Sequence, residues 1–119
     1  MKIVKISDDK AVEDTGKLFT GGKVSVQRLI EENDSKQFRS VMVNFSAGAK
    51  NKLHTHSIDQ ILYVTKGTGI VATDKEQHVV TPGTMILIPA NEPHWHGATS
   101  DKPFAHISIT TPGQTQMVE

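Results

Sequence analysis

The chain has 119 residues, 13 Lys plus Arg against 13 Asp plus Glu, and no cysteine. Its length suits one domain that buries a core unaided, and its balanced charge offers neither a basic face for nucleic acid nor a charged interaction tail. The missing cysteines exclude disulfides, thiolate metal sites and cysteine nucleophiles.

Taken in chain order, the apolar runs are short. The opening MKIVKISDDK has no apolar signal core and no cleavage site, so a cytoplasmic location is expected. No run approaches the ~20 apolar residues of a membrane helix. Ile3–Ile6 reads as a first strand, and a short helical turn is admissible near Asp8–Asp14. Val24–Ile30 and Val41–Phe45 follow, then Ile61–Val64, Gly69–Ala72, His78–Val80, Met85–Ile88 and Ala105–Thr110. Turn residues such as Gly21-Gly22, Ser46–Gly48, Pro82-Gly83, Pro89–Pro93 and Asp101–Pro103 punctuate them. Many short strands with frequent turns predict an all-β sandwich or barrel. The tail Gln114–Glu119 reads as loose, and one domain is expected over residues 1–119.

Alternation assigns faces. Val41, Val43 and Phe45 share one face of their strand; His106, Ser108 and Thr110 share one face of theirs, with Ile107 and Ile109 opposite. An apolar outer face needs cover, which predicts a second sheet or a second copy of the chain. A homodimer is expected, with a higher homo-oligomer as the alternative, and exchange of Ile3–Ile6 is one route to it.

Histidine is the informative residue, with six copies between positions 54 and 106. In His54-Thr55-His56 the two rings leave a strand on the same face, about 6–7 Å apart along the chain. Their nitrogens can converge on one ion at about 2.1 Å each. Pro93-His94-Trp95-His96 repeats the geometry after a rigid proline turn. Either pair alone suits a polar strand edge; two pairs in one cysteine-free all-β chain point to a metal site. His78 reads as a solvated strand-edge residue, and Trp95 alternates away from the site.

Two spaced patterns now carry a resemblance. Gly48, five residues, His54-Thr55-His56, three residues, Gln60, six residues and Gly67 form the first. Gly83, five residues, Pro89, Asn91, His94 and Ala98 form the second, fifteen residues further on. Together they resemble the two motifs of the cupin superfamily. Gln60 stands at the glutamate position, Asn91 at a glycine and Ala98 at an asparagine. The resemblance implies a cupin double-stranded β-helix, or jelly-roll barrel, with its core at about residues 38–112. It implies one divalent metal ion held by His54, His56, Gln60 and His94.

The wider string is similar to the small cupins that include manganese-dependent hydroxynitrile lyases. In that group three histidines and a glutamine hold the metal, and two further histidines, matching His96 and His106, stand beside it. Manganese is favoured by this resemblance; Fe2+, Zn2+ or Ni2+ suit nitrogen ligands as well. Asp59, the alternative carboxylate, is expected on the opposite strand face. With four neutral ligands the ion keeps its full charge, which favours Lewis-acid chemistry over the two-histidine-one-carboxylate site of ferrous oxygenases. The implied reaction is cleavage or formation of cyanohydrins, with His96 and His106 as proton-transfer candidates. Val41, Val43 and Thr110 are the expected walls of a small-molecule pocket. The alternatives are a metal-dependent dioxygenase and a non-catalytic small-molecule-binding cupin. No nucleic-acid or membrane partner is expected.

Overall fold

A computed structural model describes residues 1–118, so Glu119 lies outside it. A single 3-10 turn, Asp8–Lys10, falls inside the expected helical segment. The strands are β1 (Val12–Glu13), β2 (Phe19–Thr20), β3 (Val24–Ile30), β4 (Arg39–Phe45), β5 (Lys50–Asn51), β6 (His54–His56) and β7 (Gln60–Gly67). They continue with β8 (Gly69–Thr73), β9 (Gln77–Val80), β10 (Met85–Ile88), β11 (His94–Ala98), β12 (Phe104–Thr110) and β13 (Thr115–Met117).

Two antiparallel sheets result. One runs β1-β3-β4-β12-β7-β10; the other runs β13-β6-β11-β5-β2, with β8 joined to β11 and β9 to β8. The main core lies between them. Phe45, Leu62, Val64 and Phe104 are buried there, with Val24, Val71 and Ile88. On β4 the alternation holds: Val41, Val43 and Phe45 face this core, while Met42 joins Leu29 and Ala105 on the outer face.

The outer face is covered in part by the chain's own start. Ile3–Ile6 forms no strand, contrary to expectation. Val4 packs on the Leu29–Met42–Ala105 cluster. Gln27 supplies the hydrogen bonds a strand partner would have made: its Nε2 donates to the Lys5 carbonyl and its Oε1 accepts from Ser7 N–H, both at 3.0 Å. A buried side-chain amide thus stands in for a ladder partner at these two groups.

The tail also departs from expectation. Thr115–Met117 pairs antiparallel with His54–His56, so the segment read as loose is an edge strand against the histidine pair.

Two motif positions show why the spacing exists. Gly67 has φ +73°, and a Cβ there would lie 1.9 Å from the Pro103 carbonyl oxygen. Only glycine fits that close approach. Asn91 has φ 69°, the left-handed conformation that asparagine tolerates, so it fills the glycine position of the second motif. Its N–H donates to the His56 carbonyl at 2.8 Å, tying the proline turn to the first histidine strand.

Candidate metal centre and its cavity

Strand pairing brings the two histidine pairs together. His94 on β11 lies opposite His54 on β6, so the rings of His54, His56 and His94 meet on the inner side of one sheet. One nitrogen from each falls within 4.8 Å of the others. Gln60 enters from the facing sheet, at the start of β7.

Hydrogen bonds set which atoms are free. His54 Nδ1 contacts the Lys52 carbonyl at 2.6 Å, and His94 Nδ1 the Glu92 carbonyl at 2.8 Å. A carbonyl only accepts, so both Nδ1 atoms carry the proton and both Nε2 atoms keep a lone pair. His56 Nδ1 is held by Thr115 Oγ1 at 2.8 Å. Gln60 Nε2 donates to Ser108 Oγ at 2.9 Å, which turns Oε1 the other way. His56 Nε2, His94 Nε2 and Gln60 Oε1 are then buried with no partner. Buried polar atoms without partners are rare, and three from one site need a common explanation. A divalent cation accepting three imidazole nitrogens and one amide oxygen fits, and each ligand has the outer hydrogen bond that metal-binding histidines ordinarily have.

Burial also keeps these rings unprotonated. It pushes His54 down to about 4, helped by the neighbouring His94 and His56, and lowers His56 and His94. Neutral imidazole is the metal-binding form, so the cluster is ready for a cation near neutral pH.

Beside this cluster lies a second histidine pair. His96 follows His94 by two residues and faces the same way; His106 comes from β12 in the facing sheet. The β12–β7 ladder slips by one residue between Ala105 and His106. His106 Nε2 and His96 Nδ1 are 3.0 Å apart. Both rings are fully enclosed: burial pushes His106 down to about 4 and His96 well below its usual value. Asn51 fixes His96 twice. Its Oδ1 accepts from the His96 backbone N–H at 2.7 Å, so Nδ2 must face the ring, where it lies 3.2 Å from Nε2 and 3.3 Å from Nδ1. His106 Nδ1 is buried and unpartnered.

A cavity of about 350 Å³ opens onto both groups. His54, His56, Gln60, His96 and His106 line its floor with Ser108 and Asn51; Phe19, Val26, Val41, Val43 and Phe45 form apolar walls. Arg28 and Asp14 are its charged side chains.

The cupin domain family matches residues 41–110, more than half the chain and both histidine pairs. The chain is a cupin. It is 29% identical over 113 residues to an (R)-mandelonitrile lyase of Granulicella tundricola, an alignment covering 92% of this cupin and 83% of the relative. A cupin-like protein of Thermotoga maritima superposes with TM-score 0.85 at 32% identity, covering 92% of this chain and 85% of that one. The polyketide cyclase RemF of Streptomyces resistomycificus superposes with TM-score 0.83 at 18% identity, covering 99% and 87%, and shares the fold.

The other singled-out residues fall as follows in this cupin. Val41 and Val43 line the cavity, but Thr110 does not. Thr110 keeps the face of His106 and Ser108 and stands at the end of β12, opposite Arg39 and Gln60. Asp59 is exposed and caps Ala90 N–H at 2.8 Å, away from the cluster. Trp95 points outward beneath the Lys50 ammonium, 4.7 Å from its ring centre. His78 is exposed and 3.3 Å from Glu76. Asn51, Thr115 and Arg28 are the site residues that the sequence did not reveal. Their placement comes from strand pairing and carries no spacing signal.

Among the described residues no helix is long and apolar enough to cross a membrane.

Proposed function

We propose that this cupin is a divalent-metal-dependent lyase of hydroxynitrile-lyase type. The observation that carries the reading is a neutral donor set, three imidazoles and one amide, with a buried histidine pair beside it. The similarity to an (R)-mandelonitrile lyase supports the same reading. When bound, a divalent ion supplies Lewis acidity toward a substrate oxygen.

The chain's own residues do the rest. With His106 Nε2–H donating to His96 Nδ1, His106 Nδ1 carries a lone pair and is the acceptor for a cyanohydrin's hydroxyl proton. As that proton leaves, the oxygen electrons form the carbonyl and the bond to the nitrile carbon breaks. Its electron pair departs with cyanide. In reverse, the proton returns from His106 Nδ1 to the oxygen as cyanide adds. Asn51 holds the His96 backbone through Oδ1, and in this tautomer its Nδ2 donates to the same His96 Nδ1, 3.3 Å away, which fixes the ring and through it His106. The apolar walls Val26, Val41, Val43 and Phe45 exclude water and seat the substrate's hydrocarbon part.

The test is a cyanohydrin-cleavage assay on manganese-loaded protein, with oxygen uptake followed in parallel. Aldehyde release without oxygen consumption is expected. Release no faster than buffer, across aromatic and aliphatic cyanohydrins, contradicts the reading.

A further inference from the structure

The cavity holds a cation that the lyase reading does not use. The chain has two arginines, and they are deployed differently. Arg39 is spent on the fold: its Nη1 donates to the Ser35 carbonyl at 2.6 Å and the Phe38 carbonyl at 2.8 Å. Arg28 is not. Among the described residues its guanidinium has no carboxylate within 4 Å and no hydrogen bond.

Its position is set by the strand. Val24, Val26 and Arg28 are successive inward positions of β3, with Val24 in the core and Val26 packed against it. Arg28 pairs across the ladder with Val41, which also lines the cavity. The inward row of β3 therefore runs from buried apolar residues to an exposed cation at the cavity mouth. The mouth's other charge, Asp14, has Oδ1 occupied by the Gly16 N–H at 2.9 Å.

We propose that Arg28 anchors an anionic group on the substrate, and that the natural substrate is a small carboxylate-bearing hydroxy or oxo compound. A guanidinium presents a fork of donors that matches a carboxylate in two parallel hydrogen bonds. The cavity then has three zones in sequence: the imidazole and amide donors on the floor, an apolar band of Val26, Val41, Val43 and Phe45, and a cation at the rim. A molecule with a polar reacting end, a short hydrocarbon body and an anionic end matches all three. The floor itself carries no carboxylate to repel an anion. This inference deepens the proposed function, naming its substrate class, and it rests on that reading for the reacting end alone.

The test compares 4-(hydroxymethyl)benzoate, whose hydroxyl and carboxylate lie at opposite ends of a hydrocarbon body, with its uncharged amide, 4-(hydroxymethyl)benzamide. Binding is measured by calorimetry to wild-type, Arg28→Gln and Arg28→Lys proteins, each metal-free and manganese-loaded. Because Arg28 is exposed and bonded to nothing, both variants should fold; equal metal content checks this. In either metal state, the carboxylate should bind wild type about tenfold or more tighter than the amide. Arg28→Gln should remove that preference and leave amide binding within about twofold, while Arg28→Lys should restore part of it. An Arg28→Gln protein that still prefers the carboxylate overturns the proposal, as does wild type that binds the carboxylate no better than the amide. A preference that wild type shows only when manganese-loaded overturns it too, since the ion and not Arg28 would then be reading the carboxylate. Turnover is not read, so a failure of the lyase reaction and a failure of the anion anchor are separate results.

Discussion

At the residue scale the centre depends on a few side chains whose free atoms are selected by hydrogen bonds to their other ends. Gln60 is the most informative, because its amide replaces a carboxylate without changing the reach of the side chain. Gln60→Glu should raise affinity for a divalent cation at neutral pH and reduce cyanohydrin cleavage, since the added negative charge weakens the ion as a Lewis acid. Metal competition titration and the cleavage assay read the two effects separately. Asn51 is the second test. Asn51→Ala leaves the His96 backbone N–H buried without its partner, which should cost about 1–3 kcal/mol by chemical denaturation. If stability is unchanged, Asn51 does not hold His96.

His106 gives a pH dependence with a definite sign. Its ring is held at about 4 by burial, while the unfolded ring titrates near 6.5. Between those values the unfolded chain binds a proton that the folded chain refuses. Stability of metal-free protein should therefore be flat with respect to this group above about pH 6.5 and fall as the pH drops toward 4. The loss from His106 alone is on the order of 3 kcal/mol. Denaturation midpoints at pH 7 and pH 4.5 check it; identical midpoints contradict the burial of a neutral ring.

At the element scale the two sheets present the candidate ligands and the histidine pair from opposite sides. One brings His54, His56, His94 and His96, the other Gln60 and His106. The short β13 contributes without a ligand of its own, since Thr115 holds His56 Nδ1. Ending the chain before Thr115 should weaken metal binding about 10–100-fold, the usual cost of losing such an outer hydrogen bond, and leave the fold intact. A truncated protein with unchanged metal affinity contradicts that role. The resemblance to the two cupin motifs singled out His54, His56, Gln60 and His94, and strand alternation alone paired the histidines two by two. Alternation placed Val41, Val43 and Phe45 on the core side. Asn51, Thr115 and Arg28 were hidden because each acts through a partner strand distant in sequence, and no periodicity records which strands will pair. Ile3–Ile6 misled for a related reason: its apolar pattern is that of a strand, but Gln27 takes up the Lys5 carbonyl and the Ser7 N–H, and Val4 packs on the outer face of the sheet.

Over the whole molecule, the outer surface retains apolar side chains that the N-terminal segment does not cover. Met85 and Leu87 on β10 and Val79 on β9 are exposed at the free sheet edges. Such edges invite pairing with a second copy. A homodimer is the expected state, and sedimentation at micromolar concentration should return twice the chain mass; a mass of one chain contradicts it.

The most direct test of the account is metal stoichiometry. Protein made without a histidine tag is stripped of metal, offered manganese, zinc or ferrous iron, and dialysed, and its metal is then determined by mass spectrometry. One ion per chain is expected, falling to a small fraction in His54→Ala and His94→Ala. Protein that retains none of the three metals, or that retains one equally well without these histidines, contradicts the centre.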